Sequence, residues 1–256
     1  MDGPTDDAPG RFARRLVDTL DRIGDGRGRP AGWLTGCYLH GSAALGGWHP
    51  AVSDVDLLVV VSSWPAEAAQ TFDDALAVLL PECPGRGLEC SVVDRQAAAA
   101  PAAPWPFRLH VDSTDGTVRR VEGSTLTGDP DLLLHYAVAR RHGRAVCGPP
   151  AAEVFGPVPR QSVLSALHDA LTWAIEHAAA PYVVLNALRA NAYAQDDVLL
   201  SKLEAGRRAL ARDPHSDTVR RAVSAQQGEL PPQPPTDDDI GLARRAQAAL
   251  EKARRT

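Results

Sequence analysis

The chain has no excess of positive charge. Its 27 Lys and Arg stand against 32 Asp and Glu, a net charge of −5, so it lacks the basic footprint that binding a phosphate backbone needs. Nucleic acid is therefore not an expected partner. Long hydrophobic runs are missing too: nothing approaches the roughly 18 apolar residues of a membrane span. The acidic opening MDGPTDDAPGRFARRL lacks the apolar centre of a signal peptide. Cysteine is scarce. Cys37, Cys83, Cys90 and Cys147 form no Cys-x-x-Cys pair, and Cys37 and Cys90 sit inside apolar runs. That pattern reads as reduced thiols of a cytoplasmic protein, not as a disulfide framework or a structural zinc site. There is no internal repeat and no G-x-S-x-G elbow, and GDGRGRPAG follows no strand pattern, so it is no P-loop. The eight histidines show no metal-ligand spacing; His135 and His142, seven apart on a helical pattern, read as surface or packing residues.

What is present is an ordinary globular composition, 44% hydrophobic and 23% charged over 256 residues, enough for one large domain or two. The first ten residues look frayed, and apolar spacing then predicts a helix over 11–24. Val-rich or alternating runs bounded by turn residues predict strands at GWLTGCYLHG, DVDLLVVVSS, LECSVVD, FRLHVDS and TVRRVEG, with a helix over 66–80. DALAVLL and LLLHYAVA read as core stripes. From Ala151 onward strand signals give way to helical patterns at about 160–179, 182–194, 198–212 and 237–255, the last preceded by the Pro-rich linker GELPPQPPTDDD. Strands and helices followed by helices alone predict an α+β chain of two domains, divided near 148–158.

The chemistry concentrates in residues 39–61, LHGSAALGGWHPAVSDVDLLVVV. Alternate strand side chains share a face, so Asp54 and Asp56 project together with α-carbons roughly 6.6 Å apart. Two such carboxylates repel unless a cation sits between them, which suits one or two Mg²⁺ ions shared with ligand phosphates. A bare Asp-x-Asp also fits a solvated strand start. Twelve residues before Asp54, Gly41 and Ser42 open a turn whose backbone N–H groups and hydroxyl can meet an anion. A phosphate cradle joined by one short loop to a metal-binding pair makes two halves of a nucleoside-triphosphate site. Glu89 opens LECSVV as the aspartates open their strand; an acid entering such a run is costly unless it meets a metal or a proton. It suits a general base, or an edge-strand glutamate facing water.

The Gly-Ser turn, the Asp-x-Asp and the later strand-borne acid together resemble the DNA polymerase β-type nucleotidyltransferases. HGSAALGGWHPAVSDVDLLVVV is similar, more closely, to the motif of the aminoglycoside 3″/9 adenylyltransferases, which add AMP to streptomycin and spectinomycin. AVCGPPAAEVFGPVPRQSVLSAL resembles the segment joining that family's two domains, and YVVLNALRANAY and SKLEAGRRAL resemble two of its C-terminal helices. The resemblance implies a polymerase β-like nucleotidyltransferase domain, a mixed sheet with flanking helices, over 1–150. An all-α helical bundle would follow over 151–256, with ATP and acceptor in the cleft between them. It implies that Gly41, Ser42 and Ser53 meet the triphosphate, that Asp54 and Asp56 bind Mg²⁺ together with Glu89, and that Glu89 is the catalytic base. Arg189 and Lys202 match the family's basic residues for the ATP phosphates. The partners implied are ATP and a small hydroxylated, cationic acceptor, with the chain a monomer or weak dimer. Streptomycin-modifying members carry a Trp and aspartates between the first two C-terminal helices. Here LTWAIEHAAAPYVVL offers Trp173, which also fits a core position, and Glu176 as its only acid, so spectinomycin or another acceptor is equally expected. Trp105 and His110 are further candidates for the acceptor site. Alternatives are a nucleotidyltransferase acting on another natural product, a tRNA or a protein hydroxyl, or a silent nucleotide-binding module.

Overall fold

The computed structural model describes residues 7–26, 32–123 and 128–255; the reading of residues 1–6 as frayed and most of GDGRGRPAG lie outside it. The chain divides into two compact units, one of 1–44 and 53–157, the other of 45–52 and 158–256. The change of unit falls between Pro157 and Val158, and the loop Leu45–Val52 groups with the helices.

The first unit runs α1 (Ala8–Gly26), β1 (Leu34–Leu39), α2 (Gly41–Ala44), β2 (Val55–Val61), α3 (Ala66–Leu79), β3 (Leu88–Asp94) and α4 (Arg95–Ala99). It continues with β4 (Leu109–Asp112), β5 (Arg119–Glu122), α5 (Leu132–His142), β6 (Arg144–Cys147) and α6 (Ala151–Val154). The strands form one six-stranded sheet in the order β5-β4-β3-β2-β1-β6. Only β2 and β3 are parallel, and α3 is the crossover their shared direction requires. β2 is buried at every position, which is why its sequence is a continuous apolar run rather than an alternation. β5 is exposed throughout and guards its edge with Arg119, Arg120 and Glu122.

Two of the departures from the sequence-based expectation in this unit have a clear local cause. Residues 8–10 are helical, not frayed: Asp7 Oδ1 accepts from Gly10 N at 2.9 Å, and Arg144 grips the same carboxylate with two bonds of 2.8 Å. The other is β6, four half-exposed residues beside β1 that lack any apolar alternation to announce them.

The second unit contains α7 (Arg160–His177), α8 (Ala180–Asp196), α9 (Lys202–Arg212), α10 (Asp217–Gln226) and α11 (Asp237–Arg254), with α8 packed against the other four. α10 was not expected. Its ten residues carry only a short stripe, Val219, Ala222 and Val223, which joins Val184, Leu185 and Leu203 in one core cluster. Side-chain caps start three of these helices: Ser201 accepts from Glu204 N, Ser216 from Val219 N, and Thr236 forms a reciprocal capping box with Asp239.

Gly206 of α9 faces that cluster, and a β-carbon there would run into Val223 Cγ2 and lie 3.0 Å from Leu185 Cδ2. Alanine in a helix gains up to about 1 kcal/mol over glycine, but crowding a packed core costs about 1–3 kcal/mol. Gly206→Ala is expected to lower the thermal midpoint. Gly241→Ala on α11, whose β-carbon meets only Arg245 Nη1 at 3.4 Å, is expected to raise it. Thermal unfolding of the two variants checks the sign in each case.

Candidate active site

The site is built at the ends of β1, β2 and β3. Past Leu39 the chain turns at Gly41, whose φ of +52° lies in the left-handed region and whose missing β-carbon leaves room for Asp56 Oδ2. Ser42 N donates to that oxygen at 3.3 Å and His40 N donates to the Asp56 carbonyl at 3.1 Å, so the Gly-Ser turn is tied directly to the second aspartate. Ser42 Oγ is buried and has no hydrogen-bond partner among the described residues, a hydroxyl placed to serve a ligand. Ser53 is buried, and its carbonyl accepts from Arg86 N.

The parallel register of β2 and β3 sets Asp56 beside Glu89. With Asp54, just ahead of β2, they place a carboxylate oxygen each within 4.8 Å of one another. Burial raises the Glu89 pKa; His135 pulls it down, Asp54 pushes it up, and His110 and Asp112 act more weakly in opposite senses. Asp112 faces Glu89 across the β3–β4 ladder, but it is already engaged. Burial alone would raise its pKa, yet bonds from Thr114 N, Thr114 Oγ1 and Arg119 Nη2 hold it at about 2. The acids that converge are Asp54, Asp56 and Glu89, and a set of hard carboxylate oxygens fits Mg²⁺.

Gly41, Ser42, Asp54, Asp56 and Glu89 are therefore assembled in one unit, as the sequence suggested. His110 Nδ1 is 2.9 Å from Ser91 Oγ on the same pair of strands. Trp105 takes a left-handed conformation, φ 64°, and its carbonyl accepts from Asp129 N ahead of α5. In the helical unit, Arg189 donates to Leu200 O at 2.8 Å and to Asn186 Oδ1 at 2.9 Å, and Lys202 Nζ lies 4.5 Å from the centre of the Tyr182 ring. Trp173 is not a core residue: it is 53% exposed, stacks on His177 at 5.4 Å and meets Tyr182 edge-on at 5.9 Å. Glu176 is exposed on the same helix.

His135 takes the packing alternative of the sequence reading: its ring packs on buried His40 at 4.8 Å, and its Nε2 is 3.9 Å from Glu89 Oε1. The signal was its position inside the apolar stripe LLLHYAVA, where a polar ring needs a reason to be.

The raised Glu89 pKa has a consequence for stability. The folded state holds this proton more tightly than the unfolded chain, so folding is favoured while Glu89 is protonated, and the advantage disappears as pH rises through the raised value. In chelator, Glu89→Gln is expected to melt above the wild type near neutral pH. The difference should close as pH falls below about 4, the ordinary carboxylate range. Thermal unfolding between those limits measures it.

Comparison with known proteins agrees with this geometry. Residues 30–96 match the nucleotidyltransferase domain model, and residues 153–250 match the model described as aminoglycoside adenylyltransferase, C-terminal domain. An aminoglycoside (3″) (9) adenylyltransferase of Escherichia coli is 33% identical over 154 residues, 54% of this chain and 55% of the relative. A spectinomycin 9-adenylyltransferase of Staphylococcus aureus is 27% identical over 177 residues, 65% of each chain. The matched region spans about half to two-thirds of these relatives' length. A spectinomycin adenyltransferase from Enterococcus faecialis, solved with ATP and spectinomycin, shares the fold with a TM-score of 0.67 at 16% identity, covering 94% of this chain and 98% of that one. A match to the nucleotidyltransferase domain is thus followed along the chain by a match to the aminoglycoside adenylyltransferase C-terminal domain.

Proposed function

We propose that the protein transfers AMP from ATP to a hydroxyl of an aminoglycoside or aminocyclitol antibiotic of the spectinomycin or streptomycin type, and so inactivates the drug. The observation that carries this reading is the convergence of Asp54, Asp56 and Glu89 within 4.8 Å beside the Gly41–Ser42 turn. Asp54, Asp56 and Glu89 would hold Mg²⁺, which when bound neutralises phosphate charge and the charge developing on pyrophosphate. Ser42 offers its hydroxyl, which has no partner among the described residues, and Gly41 its backbone, to the triphosphate; Ser53 belongs to the same proposed cradle. Glu89 takes the proton of the acceptor hydroxyl as its oxygen bonds to the α-phosphorus and the bond to the β-phosphate oxygen breaks. Burial raises the Glu89 pKa and bound Mg²⁺ would pull it back down, a poise that suits a general base.

The helical unit's share in the proposal is charge and recognition. Arg189 and Lys202 are assigned to the ATP phosphates. Their setting supports this: the bond from Arg189 to Leu200 O ties it to the turn that opens α9 at Lys202. Trp173, Glu176 and, from the first unit, Trp105 are assigned to the acceptor. The exposure of Trp173 supports that use of its ring against a polyhydroxylated face. No helix among the described residues is long and apolar enough to cross a membrane. The proposal places the protein in the cytoplasm, where ATP is supplied.

Pyrophosphate release with ATP, Mg²⁺ and a panel of aminoglycosides tests this, with the AMP adduct identified by mass. Glu89→Gln is expected to bind ATP in Mg²⁺ yet lose turnover about 10²–10⁴-fold, the usual contribution of a general base. Nucleotide binding without transfer to any acceptor would replace this reading with a silent nucleotide-binding module.

A further inference from the structure

Helix α5 brings a residue to the acid cluster that the proposed reaction has not yet used. We propose that His135 is a positioning residue for Glu89, holding its carboxylate toward the shared divalent cation by donating from Nε2 to Oε1. This inference rests on the reading of Glu89 as a metal-binding carboxylate.

Geometry supplies the argument. His135 Nε2 is 3.9 Å from Glu89 Oε1, about an ångström longer than a hydrogen bond. The ring is fixed from behind by His40, centroid to centroid 4.8 Å at 41°. His40 is itself anchored, because its backbone N–H is bound to the Asp56 carbonyl. Burial pushes the His40 pKa well below its ordinary value, so that ring is neutral. Thus one stack of two imidazoles is tied to Asp56 at one end and faces Glu89 at the other.

The tautomer follows from what surrounds each nitrogen. A neutral imidazole carries one N–H. His135 Nδ1 is buried with no hydrogen-bond partner among the described residues, so a proton there would be wasted, while the Nε2 lone pair would face a carboxylate oxygen. Placing the proton on Nε2 leaves Nδ1 an unpaired acceptor in place of an unpaired donor, removes the lone-pair clash and aims a donor at Oε1. A donor held on one oxygen of a metal-binding carboxylate restricts its rotation, and such outer contacts commonly contribute 10–100-fold to metal affinity.

Mn²⁺ binding to the whole protein tests this without any acceptor, read as loss of the free-ion EPR signal. His135→Ala is expected to weaken Mn²⁺ about tenfold with an unchanged thermal midpoint. His135→Gln, whose side-chain amide can replace the Nε2 donor, should recover part of the loss. In the Glu89→Gln background, His135→Ala should cause no further weakening, since its effect passes through Glu89. Wild-type affinity in His135→Ala, or losses that add fully in the double variant, would overturn the inference; so would a wild type that binds no Mn²⁺. A wild type that binds Mn²⁺ but transfers AMP to no acceptor sinks the proposed reaction alone, and the variant series still decides the role of His135.

Discussion

The arrangement depends on one pairing, the parallel register that sets Asp56 of β2 against Glu89 of β3. Two acids on neighbouring strands at the same level repel, and a third, Asp54, sharpens the repulsion. The backbone tolerates it because the strands continue into the core, with all seven residues of β2 buried. Slipping the register by one residue would turn each of these side chains to the other face and bury carboxylates among Val and Leu. The hydrophobic core therefore enforces an electrostatically unfavourable cluster at its edge, and a divalent cation is the natural complement to it.

Around that pairing the supporting contacts are short in range and specific. Gly41 is glycine because Asp56 Oδ2 occupies the space a β-carbon would need, and its left-handed φ turns Ser42 N toward the same oxygen. Asp112 lies one strand further on, but Thr114 and Arg119 saturate it and leave Glu89 as the acid with freedom to act. His135 stands on the remaining side. In the helical unit Arg189 donates to the Leu200 carbonyl and to Asn186 Oδ1, and Lys202 lies against the Tyr182 ring.

Legibility in the sequence followed the range of the interaction that fixes each feature. The Asp-x-Asp, the glycine turn, the buried strands and the long helices are set by neighbours within a few residues, so periodicity and turn chemistry expose them. β6 and α10 escaped because each is short and takes its stability from partners far along the chain, β1 for one and the α8–α9 core for the other. His135 escaped for the same reason: it lies 46 positions after Glu89, and no spacing rule connects them.

By itself, then, the amino-acid order determined that this chain holds a strand-borne pair of aspartates behind an anion-ready turn, and that strands precede a run of helices. Only the tertiary structure decided which distant groups join that pair. Strand register set Glu89, already a candidate in the sequence, beside Asp56, hydrogen bonds removed Asp112 from contention, and helix packing delivered His135. The physical reason is that side-chain direction is local, a matter of alternation and turns, whereas proximity between carboxylates and imidazoles arises only when the apolar faces of separate elements are buried together.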